Sequence, residues 1–182
     1  MSEPTESPRV TSSIRPAQPS DARLLSQLGA RLFEQAFGAK NDPADMVIHL
    51  ATAFSIEAMQ AALADRDVAA WIALDAGHAA IGYATLRRGS RASGVEGAKP
   101  AEVQRIYVEE SWHGHGVGEA LMRACVDQAT AWRCDVLWLG VWQENPRAIA
   151  FYEKNGFRVV GEQTFMLGRD AQRDYVMARP LG

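Results

Sequence analysis

The chain has 182 residues, 47% of them hydrophobic, and a formal net charge of -3. That size suits one domain with one core, and the acidic balance argues against nucleic acid as a steady partner while tolerating a cationic small molecule. No apolar run reaches the roughly 18 residues that a membrane helix needs.

The start, MSEPTESPRV, is polar and proline-bearing, without an apolar core or cleavage pattern. Residues 1–11 are therefore read as a disordered tail ahead of a single domain at 12–182, in a cytoplasmic protein. Residues 12–18 form a first strand ending in proline. Ser20 is the expected N-cap of a helix on which Leu24, Leu25, Leu28, Leu32 and Phe33 recur at helical spacing up to Gly38. Asp42-Pro43 opens a second helix with Val47, Ile48, Leu50 and Phe54 toward one side. Ser55 caps a third carrying Ile56, Met59 and Leu63. These stripes read as core-packing faces, and the connections between such helices often wall a substrate site.

Strands at 68–74 and 79–87 flank Asp75-Ala76-Gly77-His78, a hairpin turn. Residues 90–100 are rich in glycine and small residues and read as a mobile loop able to close over a substrate. A fourth strand follows to Val108, on which period 2 places Glu102, Gln104, Ile106 and Val108 on one face.

Between that strand and an amphipathic helix at 117–132 stands His113-Gly114-His115-Gly116-Val117-Gly118. Unpaired N–H groups at a helix start, with the helix dipole behind them, seat a doubly charged pyrophosphate. Glycines at every second position allow positive φ and the approach of an anion to bare backbone. A mononucleotide loop would need Gly-Lys-Ser/Thr, but Glu119 and Ala120 follow Gly118. A dinucleotide fingerprint fails as well, because the third glycine comes one residue early and the later window holds Leu137, Trp138 and Leu139. A plain strand-to-helix connection without ligand stays open at this point. His113 and His115 lack a third or fourth neighbouring ligand, so no metal is expected.

After an apolar strand at 136–142 comes a helix with complete end signals: Asn145 as N-cap, Pro146 at the first position, Lys154 in the last turn and Gly156 beyond it. A last strand covers 174–179. Cys125 falls on the apolar stripe of its helix, and with Cys134 it reads as a reduced core thiol.

Together, RIYVEESWHGHGVGEALMRACV and ENPRAIAFYEKNGFRVVGE resemble the strand, pyrophosphate loop, helix and following motif of the GNAT superfamily of acetyl-CoA-dependent N-acetyltransferases. His113 departs from the arginine or glutamine usual there. The resemblance implies a single-domain α/β fold: a mixed, mostly antiparallel sheet of six or seven strands, flanked by helices and splayed between strands 4 and 5. Acetyl-CoA is the implied co-substrate, with pantetheine against Ile106, Tyr107 and Val108 and pyrophosphate on His113, Gly114, His115, Gly116, Val117 and Gly118. Asn145 adds an amide contact to the coenzyme arm, or acts as an N-cap alone.

Tyr152 stands in the family's slot for the acid that protonates the leaving thiolate; on the helix grammar alone, Phe151 and Tyr152 read first as core aromatics. Glu102, the carboxylate nearest in sequence to the acetyl site, is the candidate base, acting through a water, with an exposed, solvated glutamate as the bland alternative. Carbonyl polarisation falls to the main chain. Since neither motif offers a cysteine placed as acyl carrier, direct transfer in a ternary complex is expected. The acceptor is a primary amine. Short stretches, 36–43, Phe54-Ser55 and 104–108, resemble bacterial polyamine acetyltransferases of the PaiA type. The alternatives are a silent acyl-CoA sensor and an enzyme acting on protein or peptide amines, and a homodimer is left open as the assembly.

Overall fold

The computed structural model describes residues 11–182; all but the last residue of the expected tail lie outside them. In chain order the elements are β1 (Ser12–Pro16), α1 (Ala22–Phe37), α2 (Pro43–Ala53), α3 (Ile56–Ala64), β2 (Val68–Asp75), β3 (Ala80–Arg88), β4 (Pro100–Val108), α4 (Val117–Ala131), β5 (Val136–Trp142), α5 (Pro146–Lys154), β6 (Arg158–Leu167) and β7 (Asp170–Pro180). The seven strands form one sheet in the order β1-β2-β3-β4-β5-β7-β6. Every pairing is antiparallel except β4 with β5. That parallel pairing covers only Pro100 to Glu102 against Val136 to Trp138. Beyond it β4 stays with β3 and β5 with β7, so the sheet opens between strands 4 and 5 as expected.

Helices cover both faces. On the back, α4 presents Val117, Leu121, Met122, Cys125 and Ala129, all buried against Ala84, Leu86, Val103, Leu137 and Leu139. Each Leu- or Met-sized side chain removed from water there contributes about 1.5–3 kcal/mol. On the front, α1 buries Leu25, Leu28, Leu32 and Phe33 with Met46, Phe54, Met59, Ile72 and Tyr83.

Several local expectations are corrected. Ser20 does not cap α1: a 3-10 turn, Pro19–Asp21, intervenes, and Asp21 precedes the helix with its carboxylate bonded to Arg15 and the Gln18 N–H. The apolar side chains of α2 do not share one buried face. Val47 and Ile48 are exposed, while Asp45 and Met46 turn inward, because the Asp45 carboxylate accepts from the Arg169 N–H at the β6–β7 turn. The 90–99 loop is packed down rather than free. Val95 is buried with Val136, Trp138, Val176 and Ala178, and the Asp135 carboxylate accepts from the N–H groups of Ala98 and Lys99. The seventh strand, β6, carried no clear sequence signal.

Candidate active site

The β4–α4 connection runs through a 3-10 turn at Glu110–Trp112 into His113. Gly114 and Gly116 have φ of 79° and 81°, and a Cβ built on either would meet nothing within 4 Å. Both glycines are thus required by backbone conformation, and bare backbone faces open space there. Gly118 serves a different purpose. It lies inside α4, where a Cβ would press on the Phe151 ring at 3.3 Å. The first hydrogen bond of α4 runs from Ala120 N–H to Gly116 O. The N–H groups of Val117, Gly118 and Glu119 therefore have no partner within the helix, an arrangement that can seat an anion. Val117 contributes only backbone, its side chain being buried.

His113 turns inward. Its Nε2 lies 2.8 Å from Val108 O and 2.9 Å from Nη2 of Arg147 in the first turn of α5, and its Nδ1 is buried without a partner. One imidazole nitrogen cannot both donate to the carbonyl and accept from the guanidinium. His115 is exposed, with Nδ1 3.1 Å from His113 O, so the two rings diverge. Among the described residues no group of His, Cys, Asp and Glu is placed to hold a metal ion.

The faces of β4 differ from simple alternation. Pairing with β3 passes from Thr85↔Arg105 to Leu86↔Val103, leaving Gln104 as an extra residue. This bulge resets the period. Ile106 and Val108 join Ala101 and Val103 in the core under α4, whereas Glu102 shares the front with Arg105 and Tyr107. The expected common face of Glu102, Ile106 and Val108 is therefore corrected. Glu102 sits beside Trp138 where the sheet is still closed, and its Oε2 accepts from Ser90 Oγ at 2.6 Å. Burial raises its carboxyl above the ordinary range, against the lowering effects of the Ser90 bond and the Arg87 charge.

A cleft of about 820 Å³ passes through the opening between β4 and β5, lined by Glu102, Ile106, Tyr107, Val108, Asn145 and Tyr152, and at its mouth by His113, Gly114 and Gly118. Tyr152 is 9% exposed and packs edge-on to Phe151 and Phe157. Burial raises its phenol well above the ordinary value, so the hydroxyl stays protonated at neutral pH. Asn145 Oδ1 caps α5 by accepting from Ala148 N–H at 3.2 Å, which leaves its NH₂ free to donate elsewhere. Cys125 is fully buried and its thiol is pushed up to about 12, so it supplies no thiolate.

Sequence reasoning missed Arg147, Trp142, Gln163 and Asp174, which also line the cleft. Asp174 carried a readable signal, since it begins an Asp-x-Val-x-Ala alternation whose other members are apolar.

This splayed mixed sheet, with a glycine-rich helix start at the mouth of the split, is an acetyltransferase architecture. The chain belongs to the acetyltransferase (GNAT) family, whose model matches residues 31–157. An uncharacterized N-acetyltransferase of Mycobacterium tuberculosis is 40% identical over 101 residues, 56% of this chain and 60% of that protein. The match thus spans less than two thirds of that relative's length. A spermine/spermidine N(1)-acetyltransferase of Bacillus subtilis is 28% identical over 64 residues, 35% of this chain and 42% of that protein. The crystal structure of a PaiA N-acetyltransferase from Thermoplasma acidophilum, in complex with coenzyme A, superposes with a TM-score of 0.75 at 19% identity, covering 93% of this chain and 99% of that one.

Proposed function

We propose that the protein is an acetyl-CoA-dependent N-acetyltransferase that moves the acetyl group directly to a primary amine, with small cationic amines or polyamines as acceptors. The observation that carries this reading is the continuity of the anion seat at Gly114 to Glu119 with the cleft through the β4–β5 opening, which Tyr152 lines. The seat fits a pyrophosphate, because its glycines leave open space and its N–H groups lack helix partners. Arg147 supplies the charge that the family's usual arginine at position 113 would have given. Beyond Glu102 β4 has no pairing with β5, so the stretch Ile106, Tyr107 and Val108 borders an open edge along which an extended amide-bearing arm can pair, the Val108 carbonyl being already in contact with His113.

Acetyl-CoA brings the acetyl group as a thioester. Gln104, left out of the β3 ladder by the bulge, offers its N–H to the carbonyl oxygen. Glu102, raised by burial, takes a proton from the amine through a water, and the Tyr152 hydroxyl gives one to the departing sulfur. The amine nitrogen forms the new bond to carbon as the carbon–sulfur bond breaks. Transfer is direct because Cys125 stays protonated in the core. Thiol release on mixing the protein with acetyl-CoA and a panel of amines tests the proposal. Release that depends on the amine supports it, and acetyl-CoA binding without release under every amine overturns the enzyme reading.

A further inference from the structure

The geometry assigns Asp174 as the carboxylate that binds the acceptor's ammonium, set between the Gln163 amide and the aromatic rings of Trp142, Tyr107 and Phe37. This assignment rests on the acetyltransferase reading above and names the chemistry of its acceptor. Asp174 lies in register with Trp142 on β5 and Gln163 on β6, and with Val176 and Ala178 it shares the front face of β7. Its neighbours on that stripe are apolar and it is only 7% exposed, yet it joins none of the ion pairs found among the described residues. A buried carboxylate without a counter-ion is costly, and the cost is relieved by taking up a proton or by gaining a cation.

The charged groups around it are occupied or distant from its face. On β4, the Arg105 guanidinium donates to Ala53 O and lies over the Phe54 ring. Glu102 on the same strand is bonded to Ser90. Arg173 faces the other side of β7 and pairs with Glu162. The front residues of β5, Trp138, Gly140 and Trp142, carry no charge, nor do Gln163 and Phe165 on β6. Lys40, beyond the end of α1, lies on the ring of Trp142 with Nζ 5.5 Å from its centroid and does not reach the carboxylate. That contact displays the ring's affinity for a cation.

Gly140 gives the Gln163 amide room to lie over β5 beside Asp174. A Cβ there would collide with Nε2 of Gln163 and lie 3.3 Å from Oδ2 of Asp174. Phe37 stands edge-on to both Tyr107 and Trp142, at 6.3 and 6.2 Å, so apolar walls surround the charge. An alkylammonium meets a carboxylate, ring faces and apolar surface at once, which is the chemistry a cationic amine requires. Burial raises the Asp174 carboxyl to about 6, partly offset by the Gln163 bond, so the carboxylate form that binds an ammonium prevails above that pH.

The test is calorimetric titration of the full chain with 1,4-diaminobutane, with and without saturating coenzyme A. Asp174→Asn, which keeps the shape, is expected to weaken amine binding at least tenfold while coenzyme A affinity holds and the folded chain is no less stable than the wild type. Gly140→Ala, which keeps the charge but pushes the Gln163 amide away from Asp174, is expected to weaken it as well. Wild-type amine affinity should also fall as pH drops through about 6, and the Asn variant should lose that dependence. Unchanged amine affinity in Asp174→Asn, or no amine binding by the wild type, overturns the assignment. Failure of coenzyme A to bind would instead strike the acetyltransferase reading, and the amine titration without coenzyme still decides the role of Asp174.

Discussion

The Arg147 guanidinium lies 2.9 Å from Nε2 of His113, the same nitrogen that lies 2.8 Å from the Val108 carbonyl oxygen. If that nitrogen carries the hydrogen it donates to Val108, tying the end of β4 to the anion-seat loop, and Arg147 is left without an acceptor. An anion on the α4 N-terminus would provide one. Arg147→Ala should then weaken coenzyme A binding by about tenfold, with a flatter dependence on salt than the wild type shows. Calorimetry at two ionic strengths checks this, and equal affinities and equal salt slopes would remove Arg147 from the phosphate.

Gly116 gives a sharper test of the seat itself. A side chain there meets no neighbour, so Gly116→Val costs the fold only the strain of a positive φ, about 1–2 kcal/mol. It nevertheless fills the space an anion would use. Coenzyme A binding should be lost while the circular dichroism spectrum stays native, and retained binding would exclude this turn as the seat.

The loop and its helix were legible because their signals are local. Glycine spacing, the amphipathic period of α4 and the Asn-Pro start of α5 depend on neighbouring residues only. What escaped depends on partners distant in sequence. The bulge at Gln104 exists only in the pairing with β3, and it moved Glu102 to the face opposite Ile106 and Val108. Val47 and Ile48 read as a core stripe, yet Asp45 decides how α2 sits through its bond to Arg169, 124 residues away. Val95 holds down a loop whose small residues read as mobile. β6 is an edge strand whose Val159 and Val160 are both exposed, so the alternation that marks a strand is blurred.

Asp174 also leaves a mark on stability. Its folded-state value, about 6, lies above the ordinary 3.8, so between those values the folded chain binds more protons than the unfolded one. Wild-type stability therefore loses a contribution as pH rises through that window. Asp174→Asn lacks this loss, and other carboxylates cancel in the comparison. Denaturant melts should find the variant at parity with the wild type near pH 4 and more stable above about pH 6. A variant less stable at neutral pH would mean that the ionised carboxylate supports the fold.

Tyr152→Phe separates acid catalysis from packing, because the ring and its contacts with Phe151 and Phe157 stay in place. Turnover should fall roughly 10²-fold, with melting temperature and coenzyme affinity unchanged, since the hydroxyl acts chiefly in the transition state. Normal turnover where chemistry limits the rate would assign the proton to water.

The central claim is direct acetyl transfer from acetyl-CoA to an amine. Mass spectrometry of a reaction containing the protein, acetyl-CoA and 1,4-diaminobutane measures it by counting the acetylated amine, the free thiol and any acetyl group left on the chain. The account predicts amine product and thiol in equal amounts, with no acetyl on Cys125 or elsewhere on the enzyme. Bound acetyl-CoA with no acetylated product from this or any other amine, or product formed only by way of an acetylated enzyme, would contradict it.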